Sequence, residues 1–355
     1  MPGASPSLPV DAFLSNAGAV VDVRSPREFI QGHIPGAHNL PLFSDDERAQ
    51  VGTCYKQAGR AAAVQLGLEL VGPKLASLAR SLNKLAQGET PLRLHCWRGG
   101  MRSSSVAWLA STLDLPVLLL DGGYKAYRHW VLATFDQPWP LLILGGRTGT
   151  GKTDLLLALQ EQGAAVVDLE GLAHHRGSSF GGLGMPEQPS TELYENRLAT
   201  ALQSLKGHGP IWLEAESAQV GRCRIPNGLW RQMGKAPVVE IQRPLQERVD
   251  QLVAVYGGQG QAALREATER IARRLGPQRT AAALEAIDRS DWPGACEQML
   301  DYYDRCYDHE LSRRERPVQA CLDLAGMEPR VAALRLLQDP TCALGGSTGA
   351  AGADS

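Results

Sequence analysis

The chain lacks paired cysteines, long apolar stretches and an excess of charge of one sign. Its seven cysteines include no Cys-x-x-Cys pair, which argues against a zinc ribbon and a disulfide scaffold. No apolar run approaches the roughly 18 residues of a membrane-spanning helix, and the N-terminal MPGASPSLPVDAF lacks a secretory signal pattern. We therefore expect a cytoplasmic protein with reduced thiols and no membrane partner.

The near balance of charges limits how the protein could bind nucleic acid. The net charge of −2 argues against a broadly basic surface but allows a local basic patch. The length of 355 residues is enough for two domains, each with its own core. No internal repeat is visible, and the sequence does not indicate an oligomeric state.

Short apolar segments alternate with helix-like segments along much of the chain. Each apolar segment is bounded by turn-forming or polar residues and is too short for a helix, so it predicts a buried strand. Strands that alternate with helices predict an α/β fold with parallel sheets. The predicted strands are 19–23, 92–95, 116–120, 141–144, 164–168, 211–214 and 238–241.

A proline-rich segment, DQPWP at 136–140, predicts a linker because it cannot continue a helix. We place a first α/β domain at residues 1–135 and a second at 136–342, which is mostly helical from about 249 to 337. The tail at 343–355 is small and polar, so we predict that it is disordered.

The first chemical candidate is Cys96, which follows a predicted strand in LHCWRGGMRSSS. A loop between a strand and a helix N-terminus directs backbone N–H groups inward, and a thiol held there has a lowered pKa. Arg98 and Arg102 add positive charge. Gly99 and Gly100 would let the backbone curl around the sulfur. We therefore predict a reactive thiolate in an anion-binding loop, in place of a merely buried cysteine.

The segment VDVRSPREFIQGHIPGAHNLPL, residues 21–42, resembles the N-terminal signature of the rhodanese family. Members of that family fold as a small α/β domain and carry sulfur or selenium on a loop cysteine. Within the segment, Ser25, Pro26 and Glu28 also predict a helix start with a capping box. His33 and His38 fit a tight loop better than a metal pair, so we predict no protein-bound metal centre there.

The loop of Cys96-x5-Arg102 is one residue longer than in the common thiosulfate sulfurtransferases. An HC-x5-R loop occurs in dual-specificity phosphatases of rhodanese shape, where it fits a phosphate. Phosphatase chemistry therefore stays open. A loop of this length could equally accommodate selenium or a phosphate-bearing donor such as selenophosphate.

The second chemical candidate is GGRTGTGKT at 145–153, which lies between a predicted strand and a predicted helix. This is the P-loop pattern, in which backbone N–H groups cradle phosphates, a lysine neutralises charge and a hydroxyl can hold Mg²⁺. ATP, GTP or another diphosphate would fit it. The candidate phosphate-binding residues are Gly146, Gly149, Gly151, Lys152 and Thr153.

Acidic and glycine-rich segments follow the P-loop. Glu214 and Glu216 end a predicted strand, where they could organise Mg²⁺, act as a base or simply be solvated. HHRGSSFGGLG, residues 174–184, is rich in glycine and small polar residues, which predicts a mobile binding loop.

Several further strings occur together with these motifs. The chain contains CWRGGMRS, GGYKAYR, GGRTGTGKT, HRGSSFG and YYDRCYD, as well as VGTCYKQAGRAAAVQLG. In combination they resemble the tRNA 2-selenouridine synthase family, from about residue 10 to 335. The resemblance implies a rhodanese-like domain fused to a P-loop NTPase-like domain with a helical C-terminal part.

The resemblance also implies an activity. The family replaces the sulfur of a 5-substituted 2-thiouridine at the tRNA wobble position by selenium from selenophosphate. The reaction passes through S-geranyl-2-thiouridine, which is made from geranyl diphosphate. On this basis Cys96 would handle selenium, Arg98 and Arg102 would bind the donor, and the P-loop would grip the diphosphate.

A basic stripe is the candidate contact with tRNA. Arg270, Arg273 and Arg274 are spaced i, i+3, i+4 and so share one face of a predicted helix. Such a stripe can follow phosphates, although interleaved acidic residues also fit an ordinary solvated helix. Two rival functions remain, a rhodanese-type phosphatase and a nucleotide-gated sulfur carrier.

Overall fold

The computed structural model describes residues 5–86, 88–312 and 318–342, so the predicted disordered tail lies outside the described residues. The chain forms two compact units. The first comprises the residues up to Thr134 together with Glu192–Thr200, and the second comprises Phe135–Thr191 and the residues from Ala201 onward. The sequence suggested one boundary near residue 135 and gave no sign that Glu192–Thr200 belongs with the first unit.

A five-stranded parallel sheet forms the centre of the first unit. Its strands are β1 (Ser7–Leu8), β2 (Val20–Asp22), β3 (His38–Asn39), β4 (Leu92–His95) and β5 (Val117–Leu120). The order is β1-β5-β4-β2-β3, so β4 lies in the middle. A middle strand of a parallel sheet is covered on both faces, and β4 is accordingly almost wholly buried.

Helices of the first unit pack on this sheet. They are α1 (Val10–Ser15), α2 (Pro26–Gln31), α3 (Asp45–Val71), α4 (Leu75–Leu85), α5 (Met101–Thr112) and α6 (Gly123–Thr134). The core joins Val21 and Leu94 of the strands to Leu82 of α4 and to Val106 and Ala110 of α5.

The first turns of α2 and α5 carry Glu28 and Arg102, which lie next to the cysteine loop. The predicted capping box of α2 is confirmed, since the Ser25 N–H donates to Glu28 Oε2 at 3.0 Å. Helix α5 begins at Met101, which places Arg102 in its first turn.

A second five-stranded parallel sheet forms the centre of the second unit. Its strands are β6 (Leu141–Gly145), β7 (Ala165–Val166), β8 (Ile211–Glu214), β11 (Val238–Gln242) and β12 (Val318–Asp323), and a hairpin joins β9 (Gln219–Val220) to β10 (Cys223–Arg224). The order is β12-β11-β6-β8-β7. Strand β12 was missed, because it is an edge strand of mixed burial inside a segment that looked helical.

The helices of the second unit surround its sheet or form a separate helical part. They are α7 (Lys152–Glu161), α8 (Leu169–Ala173), α9 (Thr191–Ser204), α10 (Asn227–Lys235), α11 (Leu245–Tyr256), α12 (Gln261–Leu275), α13 (Pro277–Asp288), α14 (Trp292–Ser312) and α15 (Pro329–Gln338). Short 3₁₀ turns occupy Gly72–Lys74 and Pro340–Cys342. Residues 192–200 of α9 count with the first unit.

The helical part, α11 to α14, is inserted between β11 and β12 and buries its own apolar cluster, which includes Leu264, Ile271 and Met299. The fold class predicted from the sequence is therefore confirmed, with two α/β units and a helical part towards the C-terminus. Among the described residues, no helix is both long and apolar enough to cross a membrane.

Candidate functional site

Cys96 lies at the carboxyl end of β4, directly before the loop that leads into α5. The carboxyl ends of parallel strands are where α/β folds place their ligand sites. The cysteine is only 3% exposed, and its Sγ lies 3.3 Å from the hydroxyl of Ser103. The predicted strand–loop–helix setting of this residue is therefore present.

The surroundings of Cys96 favour its thiolate. Burial alone would raise the pKa of the thiol. Hydrogen bonds from the Ser103 side chain and from the backbone of Ser103 and Arg98, with the charge of Arg102, outweigh burial and lower that pKa. The loop thus provides a buried thiol that ionises more readily than a free cysteine.

The two arginines of the loop have different settings. Arg102 donates to Glu28 Oε2 at 2.7 Å and is mostly buried, so Glu28 both caps α2 and holds the guanidinium. Arg98 is exposed, and the described residues give its side chain no ion pair. Arg102 is therefore pre-positioned, whereas Arg98 is free to meet a ligand from solvent.

Only one of the two predicted loop glycines needs to be glycine for its conformation. Gly99 adopts φ 65°, and a Cβ there would lie 2.9 Å from the Leu120 carbonyl oxygen. Gly100 has φ −105° with open space around it, so the expectation that it curls the backbone is wrong. Any residue could adopt that conformation.

The motif GGYKAYR has a role that the sequence did not reveal. A Cβ on Gly123 would lie 2.4 Å from the Gly99 nitrogen and 2.5 Å from the Cys96 carbonyl oxygen. The N–H groups of Tyr124 and Lys125 donate to the carbonyls of Cys96 and Trp97 at 2.8 and 2.9 Å. The start of α6 therefore packs against the backbone of the cysteine loop and fixes its position.

A buried ion pair, Arg24 with Asp22, packs against Tyr124 at the start of α6. Arg24 and Asp22 are both fully buried and paired at 2.5 Å, and the Arg24 guanidinium carbon lies 3.6 Å from the centre of the Tyr124 ring. The Tyr124 hydroxyl donates to Glu192 Oε1 at 2.7 Å and accepts a hydrogen bond from Asn196 at 2.8 Å. Sequence inspection matched Asp22 and Arg24 to a family signature but could not reveal these long-range partners.

An apolar groove lies beside the cysteine loop in the first unit. It has a cavity volume of about 830 Å³ and runs between α3, which is kinked at Gly59, and the first turns of α5. Its rim includes the exposed side chains of Tyr55, Leu68 and Trp108. Its wall shares Phe43 with the core cluster that encloses Cys96.

The P-loop joins β6 to α7 as predicted. Gly146, Gly149 and Gly151 have φ values of 152°, 83° and 76°. A Cβ on Gly149 would lie 2.6 Å from the Arg248 carbonyl oxygen, whereas Gly151 has open space around it. Glycine is needed at these positions for conformation and, at Gly146 and Gly149, also for room.

The chemical side chains of the P-loop are already engaged within the second unit. Lys152 Nζ donates to the Gly146 carbonyl at 2.8 Å, and the Thr153 hydroxyl donates to Glu170 Oε2 at 2.9 Å. Glu170 was not a sequence candidate. Its backbone N–H donates to Glu214 Oε1 at 2.6 Å, so the structure brings Thr153, Glu170 and Glu214 together.

Both predicted acidic candidates, Glu214 and Glu216, lie beside the P-loop, and the pKa of each is shifted. Burial, with the charges of Asp168 and Glu170, raises the pKa of Glu214 well above its usual value. Burial, with the Glu170 and Glu214 charges, also raises the pKa of Glu216, while Lys152 lowers it. Among the described residues, no His, Cys, Asp or Glu group has the geometry of a metal site.

The motif YYDRCYD holds the arginines around the P-loop. Arg248 is almost fully buried, pairs with both oxygens of Asp304 and donates to the Thr148 carbonyl at 2.8 Å. Arg147 pairs with Asp308 at 2.8 Å. The contacts explain why these two aspartates accompany this P-loop.

The glycine-rich segment 174–184 is folded, which corrects the prediction of a mobile, unpacked loop. The Arg176 N–H donates to the Gly181 carbonyl at 3.0 Å, and the Gly181 N–H donates to the Ser178 carbonyl at 2.9 Å. Phe180 is buried in the apolar cluster of the helical part. The buried phenylalanine anchors a segment whose composition suggested mobility.

The three arginines of the basic stripe are exposed on α12. Arg270 pairs with Glu266 at 3.3 Å and donates to the Ser179 carbonyl, so part of its charge is neutralised. Arg273 and Arg274 lie in the last turn of the helix. The helix and the shared face are therefore as predicted.

Comparisons with protein families match most of the chain. Residues 10–129 match the family described as "Rhodanese-like domain". Residues 139–327 match the family described as "tRNA 2-selenouridine synthase AAA domain".

Individual relatives match over nearly their whole length. The protein "tRNA 2-selenouridine synthase" of Marinobacter nauticus is 37% identical over 86% of this chain and 91% of that protein. Proteins of the same name from Hahella chejuensis and Bordetella bronchiseptica are 38% and 39% identical, over 86% and 84% of this chain and 88% and 89% of theirs. The chain therefore belongs to the tRNA 2-selenouridine synthase family.

Proposed function

We propose that the protein converts 2-thiouridine in tRNA to 2-selenouridine. The name of the relatives states the product. The observation that carries the proposal is Cys96, a buried thiol at the start of a loop that contains Arg98 and leads to Arg102, in surroundings that lower its pKa. Such a loop suits an anionic group-transfer donor.

Selenophosphate is the donor that we propose for this loop. Its phosphate group would accept hydrogen bonds from loop N–H groups, with Arg102 held in place by Glu28 and Arg98 arriving from solvent. Selenium would be delivered to C2 of a 5-substituted 2-thiouridine at the wobble position.

The proposed role of the P-loop is to bind geranyl diphosphate. The thiouridine sulfur attacks the first carbon of the geranyl group, the carbon–oxygen bond breaks and diphosphate leaves. Lys152 and the loop N–H groups would stabilise the charge of that leaving group. Lys152 now donates to the Gly146 carbonyl, and that bond would exchange for one to the ligand.

Mg²⁺ is a proposed companion of the diphosphate. The Thr153 hydroxyl and the neighbouring Glu170 and Glu214 carboxyl groups are oxygen donors of the kind this ion prefers. When bound, the ion would neutralise diphosphate charge.

S-geranylation makes the sulfur a better leaving group at C2. When the geranylated uridine reaches Cys96, its hydrocarbon chain needs apolar surroundings. The groove beside the loop has a cavity volume of about 830 Å³, within the range of small-molecule sites. An apolar pocket beside Thr148 in the second unit has only about 50 Å³. The larger groove is therefore our proposed place for the chain during selenation.

The tRNA contact that we propose includes the stripe Arg270, Arg273 and Arg274. All three are exposed on one helix, which suits phosphate contacts. The neutralisation of Arg270 by Glu266 means that Arg273 and Arg274 would contribute most.

The test is mass spectrometry of nucleosides from 2-thiolated tRNA incubated with the protein, selenophosphate and geranyl diphosphate. We expect 2-selenouridine with the unchanged protein. With Cys96→Ala we expect S-geranyl-2-thiouridine to accumulate instead. Unchanged tRNA with both proteins would contradict the proposal and would favour the phosphatase or the sulfur-carrier alternative.

A further inference from the structure

The loop around Cys96 has the arrangement of a phosphoryl-transfer site. We propose that Cys96 attacks the phosphorus of selenophosphate, forms a cysteinyl phosphate and releases hydrogen selenide beside the nucleoside. This step rests on the proposed function, because it takes selenophosphate as the donor. In this step Cys96 forms a bond to the phosphorus atom of the donor, and selenium never bonds to the cysteine sulfur.

Backbone donors surround the sulfur. Hydrogen bonds from the backbone of Arg98 and Ser103 reach Sγ, and Arg102 follows the loop with its guanidinium held by Glu28 at 2.7 Å. N–H groups converging at a helix N-terminus, with a fixed arginine, bind a tetrahedral phosphate group. Five residues separate Cys96 from Arg102, which lies in the first turn of α5.

The Ser103 hydroxyl suits both halves of such a reaction. It lies 3.3 Å from Sγ and 3.1 Å from the Gly100 carbonyl oxygen. The hydroxyl donates its hydrogen to the Gly100 carbonyl in this structure, and after turning towards Sγ it would stabilise the attacking thiolate. The Ser103 hydroxyl would stabilise the Cys96 thiolate again when water displaces that thiolate from phosphorus.

Three ionisable side chains close to the cysteine loop in sequence or through Arg102, namely Glu28, Asp22 and His95, are poor candidates for a general acid. Glu28 is paired with Arg102, and despite burial that pairing lowers its pKa. Asp22 is paired with Arg24 and also has a lowered pKa in spite of burial. Burial lowers the pKa of His95, which favours its neutral form. None of these three side chains would therefore supply a proton to an alkoxide leaving group.

Selenide needs no such donor, because it is a weak base and leaves as an anion. The site therefore fits selenophosphate better than a phosphate monoester. This reconciles a loop of phosphatase length with a selenium-transferring enzyme.

The step balances without an oxidant. The Cys96 thiolate bonds to phosphorus, the phosphorus–selenium bond breaks, and hydrogen selenide anion leaves. Water then bonds to phosphorus and the sulfur–phosphorus bond breaks. Phosphate and a proton are released, and the Cys96 thiolate is regenerated. The selenide attacks C2 of the S-alkylated uridine, its proton passes to N3, and the alkyl thiolate leaves. Selenium keeps its oxidation level, whereas forming a sulfur–selenium bond on Cys96 would require an oxidant.

The test uses the full-length protein with selenophosphate, quenched by denaturant and analysed by peptide mass spectrometry. We expect a phosphate mass on the peptide that contains Cys96, and none with Cys96→Ala. Ser103→Ala should slow release of selenide about tenfold, which corresponds to roughly one pKa unit. It should also raise the fraction of trapped intermediate and shift the pH profile of selenide release upward. Ser111→Ala, on the same helix, should behave like the unchanged protein.

The outcomes separate this step from the proposed function. A selenium mass on Cys96 without phosphate, in protein that still converts tRNA, would overturn the cysteinyl phosphate and leave the function standing. Selenide release by Cys96→Ala at the unchanged rate would also overturn it. A trapped cysteinyl phosphate in protein that leaves thiolated tRNA unaltered would support the step and contradict the proposed function.

Discussion

The cysteine loop and the P-loop share a local design but differ in their charged neighbours. Each follows a middle strand of a parallel sheet, and each precedes a helix. In the cysteine loop, Glu28 is neutralised by Arg102 and the pKa of Cys96 is lowered. Beside the P-loop, burial together with neighbouring acidic side chains raises the pKa values of Glu214 and Glu216.

This difference shows that the local motif creates an anion site, while distant residues determine its charge state. The first loop is already positive enough to stabilise a thiolate. The second contains buried carboxyl groups whose raised pKa values favour the neutral form, and a bound cation would shift them towards the carboxylate. The two loops therefore differ in the charge state that their surroundings favour.

The largest expected effect is the loss of geranylation in a P-loop variant, which would test whether the two loops act in different steps. Lys152→Ala should reduce geranylation of thiolated tRNA about 100- to 1000-fold, because a diphosphate leaving group loses its charged partner. The same variant should form selenouridine at the normal rate from RNA that already carries S-geranyl-2-thiouridine. Nucleoside mass spectrometry measures both rates, and the exposed Lys84→Ala is the control. Equal losses on both substrates would contradict a division of labour.

Local sequence was enough to predict both loops, because each depends on a short run of glycine, charge and one reactive side chain. The strands of both sheets were mostly predictable for the same reason, since buried parallel strands are continuous apolar runs. Edge strand β12 was missed because its burial is mixed and its neighbours are helical.

The partners of the loops were not predictable, because they come from far along the chain. Glu28 reaches Arg102 across 74 residues, and Glu170 gave no signal in the sequence that it would meet Thr153. Asp304 was noticed only as part of a family string, and its pairing with Arg248 depends on the packing of α11 and α14.

A smaller effect would test how α6 supports the cysteine loop. Gly123→Ala places a Cβ 2.4 Å from the Gly99 nitrogen, so it should lower the free energy of unfolding by about 3 kcal/mol, from backbone strain and overpacking. Gly36→Ala is the matched control, since Gly36 also has a positive φ, 77°, but open space around it. Urea unfolding measures both. Gly123→Ala should also slow alkylation of Cys96, and a normal alkylation rate would show that the loop does not depend on this contact.

The smallest effect would test the apolar groove beside the cysteine loop. Leu68 is 64% exposed on its rim, so Leu68→Gln should remove apolar contact with little change in folding. We expect KM for RNA carrying S-geranyl-2-thiouridine to rise about fivefold, or roughly 1 kcal/mol. KM for an S-methyl analogue should stay unchanged, because a methyl group does not reach along the groove. Leu132→Gln, at an exposed leucine on α6, is the control. A rise in KM for both substrates would mean that Leu68 acts on RNA binding in general and that the hydrocarbon chain lies elsewhere.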